Sequence, residues 1–172
     1  MRVLLAVSIA LCGCGADGSY ELHWTIGCKK SAAASSRSAP QGREDRRSAC
    51  QLKSIMDCSR RGLDSVEVLA RGGDQDRTIF PCYSPDDGPL GRGPGLEPGA
   101  TDLTVYGLSA SGLRLTDPVT VPAQIPEEGL TPVEVDLPEP PQCRDGVDND
   151  LDGVVDLFDP DCKSGTDDDE SS

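Results

Sequence analysis

The C-terminal stretch CRDGVDNDLDGVVDLFDPDC, residues 143–162, carries aspartates at the spacing of a calcium-binding loop. A hard divalent cation takes about six to eight oxygen ligands, and alternate residues of a tight loop supply them when a glycine at the sixth position makes the turn. Gly153 occupies that sixth position. The predicted calcium ligands are Asp148, Asp150, Asp152, the backbone carbonyl of Val154, Asp156 and Asp159.

The residues around these ligands refine the prediction. Val155 is expected to turn its side chain inward and anchor the loop. Prolines before and after the loop argue against flanking helices, because proline disfavours helix in itself and in the residue before it. The alternative interpretation is an acidic, solvated tail, as runs of like charge usually are. The regular placement of Gly153 and of two cysteines favours calcium.

The same segment resembles a single thrombospondin type-3 repeat. The pattern DxDxDGxxDxxD followed by cysteine is matched by Asp148 through Asp159 and then by Cys162. The resemblance covers only residues 143–162, and it implies calcium as the cofactor. Asp159 stands where the loop of an EF-hand has glutamate, so this ligand has a shorter reach.

A mainly β body is predicted over residues 20–137. Residues 20–26 alternate apolar and polar side chains, which is typical of a half-buried strand. Trp24, the only tryptophan, is expected to anchor the core, and His23, the only histidine, to face solvent. Further strands are predicted at residues 65–70, 78–82, 102–108, 113–115, 119–121 and 132–137.

The segments between these strands have distinct compositions. Residues 29–46 are polar and read as a surface insertion, and residues 83–99 are rich in turn-forming residues. One short helix is predicted over residues 47–61, where Ala49, Leu52, Ile55 and Met56 recur at helical spacing before Gly62. The fold class is therefore a disulfide-stapled β-sandwich with one short helix, followed by an irregular calcium-loop segment.

The phrase GLEPGATDLTVYGLSASGLRL, residues 95–115, resembles the hairpin of prealbumin-like and carboxypeptidase-regulatory-like sandwiches. The resemblance covers residues 95–137 well and residues 63–82 loosely. Residues 100–102, Ala-Thr-Asp, replace the Thr/Ser-Tyr of that pattern. Such modules occur in cell-envelope proteins, including lipoproteins of Gram-negative bacteria, and the resemblance implies a role in stabilising, spacing or binding.

The N-terminus reads as an export signal, residues 1–13. An apolar run from Val3 to Leu11 follows Arg2, and it is shorter than the roughly 20 residues that span a bilayer. The sequence LCGC at its end resembles a bacterial lipobox, which implies acylation of Cys14, palmitate included, and a tether at residues 14–19. The alternative is ordinary cleavage between Gly15 and Ala16, which leaves a secreted protein.

Six cysteines remain after Cys12 and Cys14 are set aside, which fits an oxidising compartment. We predict a Cys143–Cys162 disulfide, because it closes one loop at a gain of roughly 3 kcal/mol. In the body we pair Cys58 with Cys82 and Cys28 with Cys50. The rival pairing is Cys28–Cys58 with Cys50–Cys82. A zinc or thiol redox site is disfavoured, because the chain has no CxxC spacing and one histidine.

The net charge of −14 argues against nucleic acid and anionic membrane surfaces as electrostatic partners. Residues 143–172 hold 11 acidic residues and two basic ones, so their net charge is −9. Residues 138–142 form a proline-rich linker that is expected to be extended and to hold the loop away from the sandwich. Residues 163–172 are predicted to be a disordered acidic tail.

These features predict a non-catalytic protein, exported and lipid-anchored to the bacterial envelope at the outer membrane. In one hypothesis it is a binding or adhesion module whose residues 83–99 engage a glycan or another envelope protein. In the alternative it is a structural spacer, and calcium serves only stability. A small hydrolase is disfavoured, because His23 lies outside any catalytic motif and no carboxylate pair is placed by a recognisable pattern outside the loop.

Overall fold

The computed structural model of the chain describes residues 18–27, 52–71 and 76–170. Within them it confirms the predicted mainly β fold, with two sheets and one short helix. The strands are β1 (Ser19–Ile26), β2 (Ser65–Ala70), β3 (Arg77–Pro81), β4 (Leu90–Arg92), β5 (Gly99–Leu108), β6 (Val119–Ile125) and β7 (Leu130–Leu137). The helix is α1 (Ile55–Ser59).

The first sheet has the order β4-β1-β7, and its two strand pairings run in different directions. Strand β1 pairs with β4 antiparallel, whereas β1 and β7 are parallel and in register from Ser19 opposite Leu130 to Ile26 opposite Leu137. Parallel neighbours need a long crossover, which the intervening strands supply. Residues before β1 and residues after β7 therefore leave this sheet at opposite ends.

The second sheet is antiparallel throughout, in the order β3-β2-β5-β6. Proline cannot donate a ladder hydrogen bond and is confined to the edges of sheets. Pro81 lies in β3 and Pro122 in β6, the two edge strands of this sheet, and Pro132 lies in β7, an edge strand of the other. The prolines thus fit the observed strand order.

The core lies between the two sheets, and Trp24 is at its centre. The predicted inward face of β1 is buried: its members are at most 1% exposed, namely Tyr20, Leu22, Trp24 and Ile26. The indole Nε1 of Trp24 donates a hydrogen bond of 2.9 Å to the carbonyl of Cys82, and its ring stacks on Phe80 with centroids 6.2 Å apart. Aromatic burial with a satisfied polar group gives this small core its anchor.

The sequence predicted turns throughout residues 83–99, but this stretch contains β4. A Cβ at Gly91 would meet the ring of Phe80, and one at Gly93 would meet the ring of Tyr20. These glycines permit the close approach of aromatic rings to a strand, rather than marking a turn. A stretch predicted to be a free binding loop therefore contributes a strand to the first sheet.

The helix is shorter than predicted and buries a different face. Helix α1 spans five residues, and Ile55 and Met56, which were expected to face the core, are 51% and 57% exposed. Its buried residue is Cys58, which is bonded to Cys82. A covalent bond, rather than an apolar stripe, holds this helix to the sandwich.

The predicted strand at residues 113–115 is reduced to one isolated antiparallel bridge, between Arg114 and Leu108 at the end of β5. The segment is irregular, and it runs beside the end of β5 through the N–H of Leu115, which donates to the carbonyl of Gly107 at 2.9 Å. The hydroxyl of Thr116 in turn accepts a hydrogen bond from the N–H of Gly107 at 2.8 Å. The side chain of Thr116 therefore accepts the hydrogen bond that a backbone carbonyl of a neighbouring strand would accept in a regular sheet.

Several predictions concern residues outside the described ranges. These are the export signal, the lipidation site Cys14, most of the tether, the insertion at residues 29–46 and the Cys28–Cys50 disulfide. Among the described residues, no helix has the length and apolar character needed to cross a membrane.

Candidate metal centre in the C-terminal loop

The structure contains two disulfides among the described residues, and one of them closes the loop of the candidate site. Cys143 is bonded to Cys162, with Cα atoms 5.6 Å apart, and closes the loop. Cys58 is bonded to Cys82, with Cα atoms 6.2 Å apart. These are the two pairs chosen from the sequence, and the rival pairing is excluded because it requires other partners for Cys58 and Cys82.

Three of the predicted ligands converge. Asp148, Asp150 and Asp152 each place a carboxylate oxygen within 4.8 Å of the others. The loop's own amides orient them: Gly153 donates to Asp148 Oδ2 at 2.9 Å, and Asp152 donates to Asp150 Oδ1 at 3.1 Å. Gly153 has a φ of 98°, the left-handed region that favours glycine and allows this turn.

Asp159, the last predicted ligand, is buried. Its residue is 2% exposed, and its Oδ1 accepts a hydrogen bond of 2.7 Å from the N–H of Asp161. Its Oδ2, like Oδ1 of Asp148, has no hydrogen-bond partner among the described residues. A buried carboxylate oxygen without a partner is costly, and a cation beside it would remove that cost.

The charges of this cluster act on one another. The pKa of Asp150 lies above its usual value: the N–H of Asp152 lowers it, but partial burial and the neighbouring charges of Asp152, Asp159 and Asp148 outweigh that bond. Among the described residues, this is the one group of acids close enough to share an ion.

Asp156 does not join the cluster, although its position predicted a ligand. Its Oδ1 accepts a hydrogen bond of 2.9 Å from the N–H of Gly146, and its own N–H donates to Glu170 Oε1 at 2.6 Å. Its backbone has a φ of 52°. The contact with Gly146 occupies one oxygen of this carboxylate, and the contact with Glu170 fixes its backbone. The half-buried Val154 donates its N–H to Asp152, and its carbonyl remains a predicted ligand.

The tail is ordered up to Glu170, contrary to the prediction of a disordered segment. Glu170 is 0% exposed, and its two carboxylate oxygens accept hydrogen bonds from the N–H groups of Asn149, at 2.8 Å, and Asp156. The N–H of Glu170 donates to Gln142 Oε1 at 3.2 Å. A single glutamate among aspartates is a weak sequence signal, so this residue was missed.

Asp145 is a second buried acid that the calcium template does not include. It is 6% exposed. Burial raises its pKa from 3.8 to about 6, against hydrogen bonds from the N–H of Val147 and the amide of Asn149, and the charges of Asp156 and Glu170 add to the rise. The repeated Asp-Gly pair, at residues 145–146 and 152–153, was the available sequence signal for it.

The loop packs against the sandwich rather than standing away from it. A Cβ on Gly62 would collide with the main chain of Asp145, and the guanidinium of Arg61 pairs with Glu139 at 3.1 Å. Arg144 donates a hydrogen bond to the carbonyl of Arg114. The predicted linker, residues 138–142, therefore brings the loop onto the sandwich because these contacts fix it there.

Two further polar groups lie on the sandwich. Glu67 is 2% exposed and pairs with Arg77 and Arg114; burial raises its pKa, but the two guanidinium groups outweigh burial and the pKa is lowered. His23 is exposed, as predicted, and lies 3.0 Å from Glu21. The partners of Glu67 lie on β3 and in the segment after β5, whereas the partner of His23 lies on its own strand.

Comparison with known proteins finds no match for the chain among protein-family models, curated proteins or solved structures. The case for function therefore depends on the geometry of the loop.

Proposed function

We propose that this protein is a non-catalytic module of the cell envelope whose C-terminal loop binds one calcium ion. The observation that carries the proposal is the convergence of Asp148, Asp150 and Asp152, together with the unpartnered carboxylate oxygens of Asp148 and of the buried Asp159. An ion at this position neutralises carboxylates that otherwise repel one another. The disulfide at Cys143 and Cys162 reduces the conformational freedom that binding must remove.

Calcium suits these ligands better than other common cations. The convergent donors are carboxylate oxygens, whereas zinc prefers nitrogen and sulfur, and magnesium demands a nearly ideal octahedron. A loop built from short aspartates on an irregular backbone meets the looser requirements of calcium. A single loop of this kind is expected to bind with a Kd of about 10⁻⁴–10⁻³ M, in the range of extracellular modules.

The proposed envelope location rests on the sequence. The LCGC sequence places Cys14 for acylation, and the disulfides fit an oxidising compartment. An acylated Cys14 anchors the protein in the outer membrane. Mass spectrometry of the native protein tests this, and an unmodified chain that starts at Ala16 would contradict the anchor.

A non-catalytic role is favoured by the surroundings of His23. This histidine lies 3.0 Å from Glu21, which Arg92 also engages at 2.9 Å, so it belongs to a polar cluster on the surface. A general base needs a nucleophile or substrate proton within its reach. Its partner here is a carboxylate.

Two roles for the calcium loop remain in competition. A binding role has calcium shape a surface that engages a glycan, an envelope protein or a membrane. A spacer role has calcium stabilise the fold alone, and the packing of Asp145 on Gly62 favours it, because that contact links the loop to the sandwich. A pull-down with and without EGTA separates the roles, since only the binding role predicts a calcium-dependent partner.

Calorimetric titration of the chain with calcium tests the site itself. Asp150→Asn removes one charge from the cluster and should weaken calcium binding by about tenfold or more. Asp86→Asn, on an exposed turn of the sandwich, is the matched control and should bind as the wild type does. Equal affinities of wild type and Asp150→Asn, or no binding up to about 10 mM calcium, would contradict the proposal.

A further inference from the structure

The calcium loop exposes three large apolar side chains. Phe158 is 86% exposed, Leu151 is 85% exposed and Leu157 is 62% exposed. Leu113, at a turn of the sandwich, is also exposed, at 53%, but it stands without such neighbours in the chain. Three such residues within one short loop are a concentration of exposed apolar surface, which marks sites of interaction.

These side chains are held outward by an ordered backbone. Leu157 and Phe158 lie in a 3₁₀ turn, in which the N–H of Phe158 donates to Val155 at 3.1 Å and that of Asp159 donates to Asp156 at 2.9 Å. Leu151 has a φ of 65°, a left-handed conformation that is uncommon for a residue with a side chain. The loop thus presents the apolar groups in a fixed arrangement.

The apolar residues alternate with the acids of the candidate metal centre. Leu151 lies between Asp150 and Asp152, and the Leu157–Phe158 pair precedes Asp159. Counted at one oxygen each, the three convergent aspartates, Asp159 and the carbonyl of Val154 provide five ligands, fewer than the six to eight or so that calcium takes. One oxygen of Asp156 is already bonded to Gly146, so the remaining coordination positions are open to water or to the oxygen atoms of a binding partner.

We propose that the calcium-loaded loop docks on an anionic phospholipid surface. Headgroup phosphate oxygens complete the coordination of calcium, while Leu151, Leu157 and Phe158 enter the interface, where apolar side chains contribute binding in proportion to the area they bury. The proposal rests on the calcium site proposed above. Calcium is the necessary bridge, because a segment of net charge −9 is repelled by anionic lipid without it.

The open coordination positions and the shape of the loop favour a membrane over a second copy of the chain. Residues 143–172 carry a net charge of −9 and repel a second copy and anionic lipid alike, but only the lipid presents a layer of phosphate oxygens to a loop-bound calcium. Side chains about 85% exposed protrude, and a fluid interface accepts them without a matching pocket. Gly18 and the first residue after β7 also lie at opposite ends of the β1–β7 pair.

Vesicle sedimentation tests the proposal, using the full chain with Cys14→Ser so that no acyl group can anchor it. Vesicles of phosphatidylethanolamine with phosphatidylglycerol are compared with vesicles of phosphatidylcholine, in about 2 mM calcium and in EGTA. We expect calcium-dependent binding to the anionic vesicles. Leu157→Ser combined with Phe158→Ser should weaken it about tenfold or more, because the interfacial apolar area is lost. Leu113→Ser is the matched control and should bind as the parent does.

Calcium affinity, measured on the same proteins by calorimetry, separates the possible failures. Retained calcium affinity in the Leu157→Ser, Phe158→Ser protein shows that its loop is intact, so a lost vesicle interaction then supports insertion. Vesicle binding that survives this double substitution overturns the proposal. A parent protein that binds calcium but not vesicles overturns docking and leaves the calcium site standing. A parent that binds no calcium overturns both, and calcium-dependent self-association without vesicles favours a second copy instead.

Discussion

Individual carboxylates of the C-terminal segment have different surroundings and therefore different roles. Asp148, Asp150 and Asp152 converge at a half-exposed cluster, where their repulsion favours a cation. Glu170 is fully buried, and it is satisfied by two backbone N–H groups. Asp145 is buried near other acids and holds its proton more tightly than usual. At this scale, the pH of the solution should distinguish them.

Asp145 should make the apo protein less stable as the pH rises from about 4 to about 6. Its folded pKa of about 6 exceeds its ordinary value of 3.8, so the folded state binds the proton more tightly. The stabilisation is complete below the lower pKa and is lost as the pH passes the higher one, at a cost of about 3 kcal/mol.

Asp145→Asn removes this titration while keeping an oxygen for the N–H of Val147. Urea unfolding in EGTA across this pH range should therefore show a flatter profile for the variant than for the wild type. Other carboxylates titrate in both proteins, so the difference between the two profiles is the quantity that matters. Parallel profiles would mean that Asp145 is ionised normally in the folded state.

At the scale of elements, the tail acts as a clasp on the loop. The carbonyl of Asp167 accepts a hydrogen bond of 3.2 Å from the N–H of Cys143, and Glu170 accepts two from inside the loop. The tail therefore supplies hydrogen-bond acceptors for backbone N–H groups of the loop. In an isolated loop these N–H groups would bond to water instead. Order in the tail and order in the loop should be lost together.

Glu170→Ala should loosen the loop by about 2 kcal/mol, since it removes charged acceptors from two partly buried hydrogen bonds. Hydrogen exchange should become faster at the amides of Asn149 and Asp156, and remain unchanged in β2 and β5. Glu128→Ala, on an exposed turn, serves as the control. Unchanged exchange at both amides would show that the clasp contributes nothing to the order of the loop.

Periodic elements were predictable from the sequence, and non-local contacts were not. The alternation of residues 20–26 gave the buried face of β1 because period two belongs to the strand itself. Strand β4 was missed because Gly91 and Gly93 resemble turn residues, and only the rings of Phe80 and Tyr20 explain them. The predicted helix was longer than α1, because α1 is attached to the sandwich by a disulfide and not by a face of regularly spaced apolar residues.

The candidate site shows the same division. Local spacing predicted the cluster of Asp148, Asp150 and Asp152, because these residues alternate along one turn. The different role of Asp156 depends on Glu170, which lies 14 residues further along the chain, and no loop template contains it. Spacing alone therefore identified the acidic residues of the loop. It did not identify which of them a contact with the tail would keep out of the cluster.

At the scale of the whole molecule, the loop and the sandwich meet at Gly62. This glycine has a φ of 65°, and its missing Cβ leaves room for the main chain of Asp145. Trp24 is buried at the centre of the sandwich, so its fluorescence reports the unfolding of the sandwich rather than of the loop. A calcium-dependent rise in its unfolding midpoint would therefore measure the coupling of the two parts.

Gly62→Ala should reduce that coupling. The substitution costs about 1–3 kcal/mol for the left-handed backbone and also displaces Asp145. Gly112→Ala is the matched control, because Gly112 has a φ of 80° with open space around it and incurs only the backbone cost. We expect calcium to raise the Trp24 midpoint in Gly112→Ala as in wild type, and less in Gly62→Ala. An equal rise in both variants would place the coupling elsewhere.

The parallel pairing of β1 and β7 also determines how the molecule would carry a mechanical load. Eight register pairs join these strands, and the chain enters at one end of the pair and leaves towards the loop at the other. A pull between the segment before Gly18 and the loop would drag the strands past each other along their length. All of the hydrogen bonds between them would then bear the force at once, instead of opening one after another, so this strand pair would resist a pull along its length.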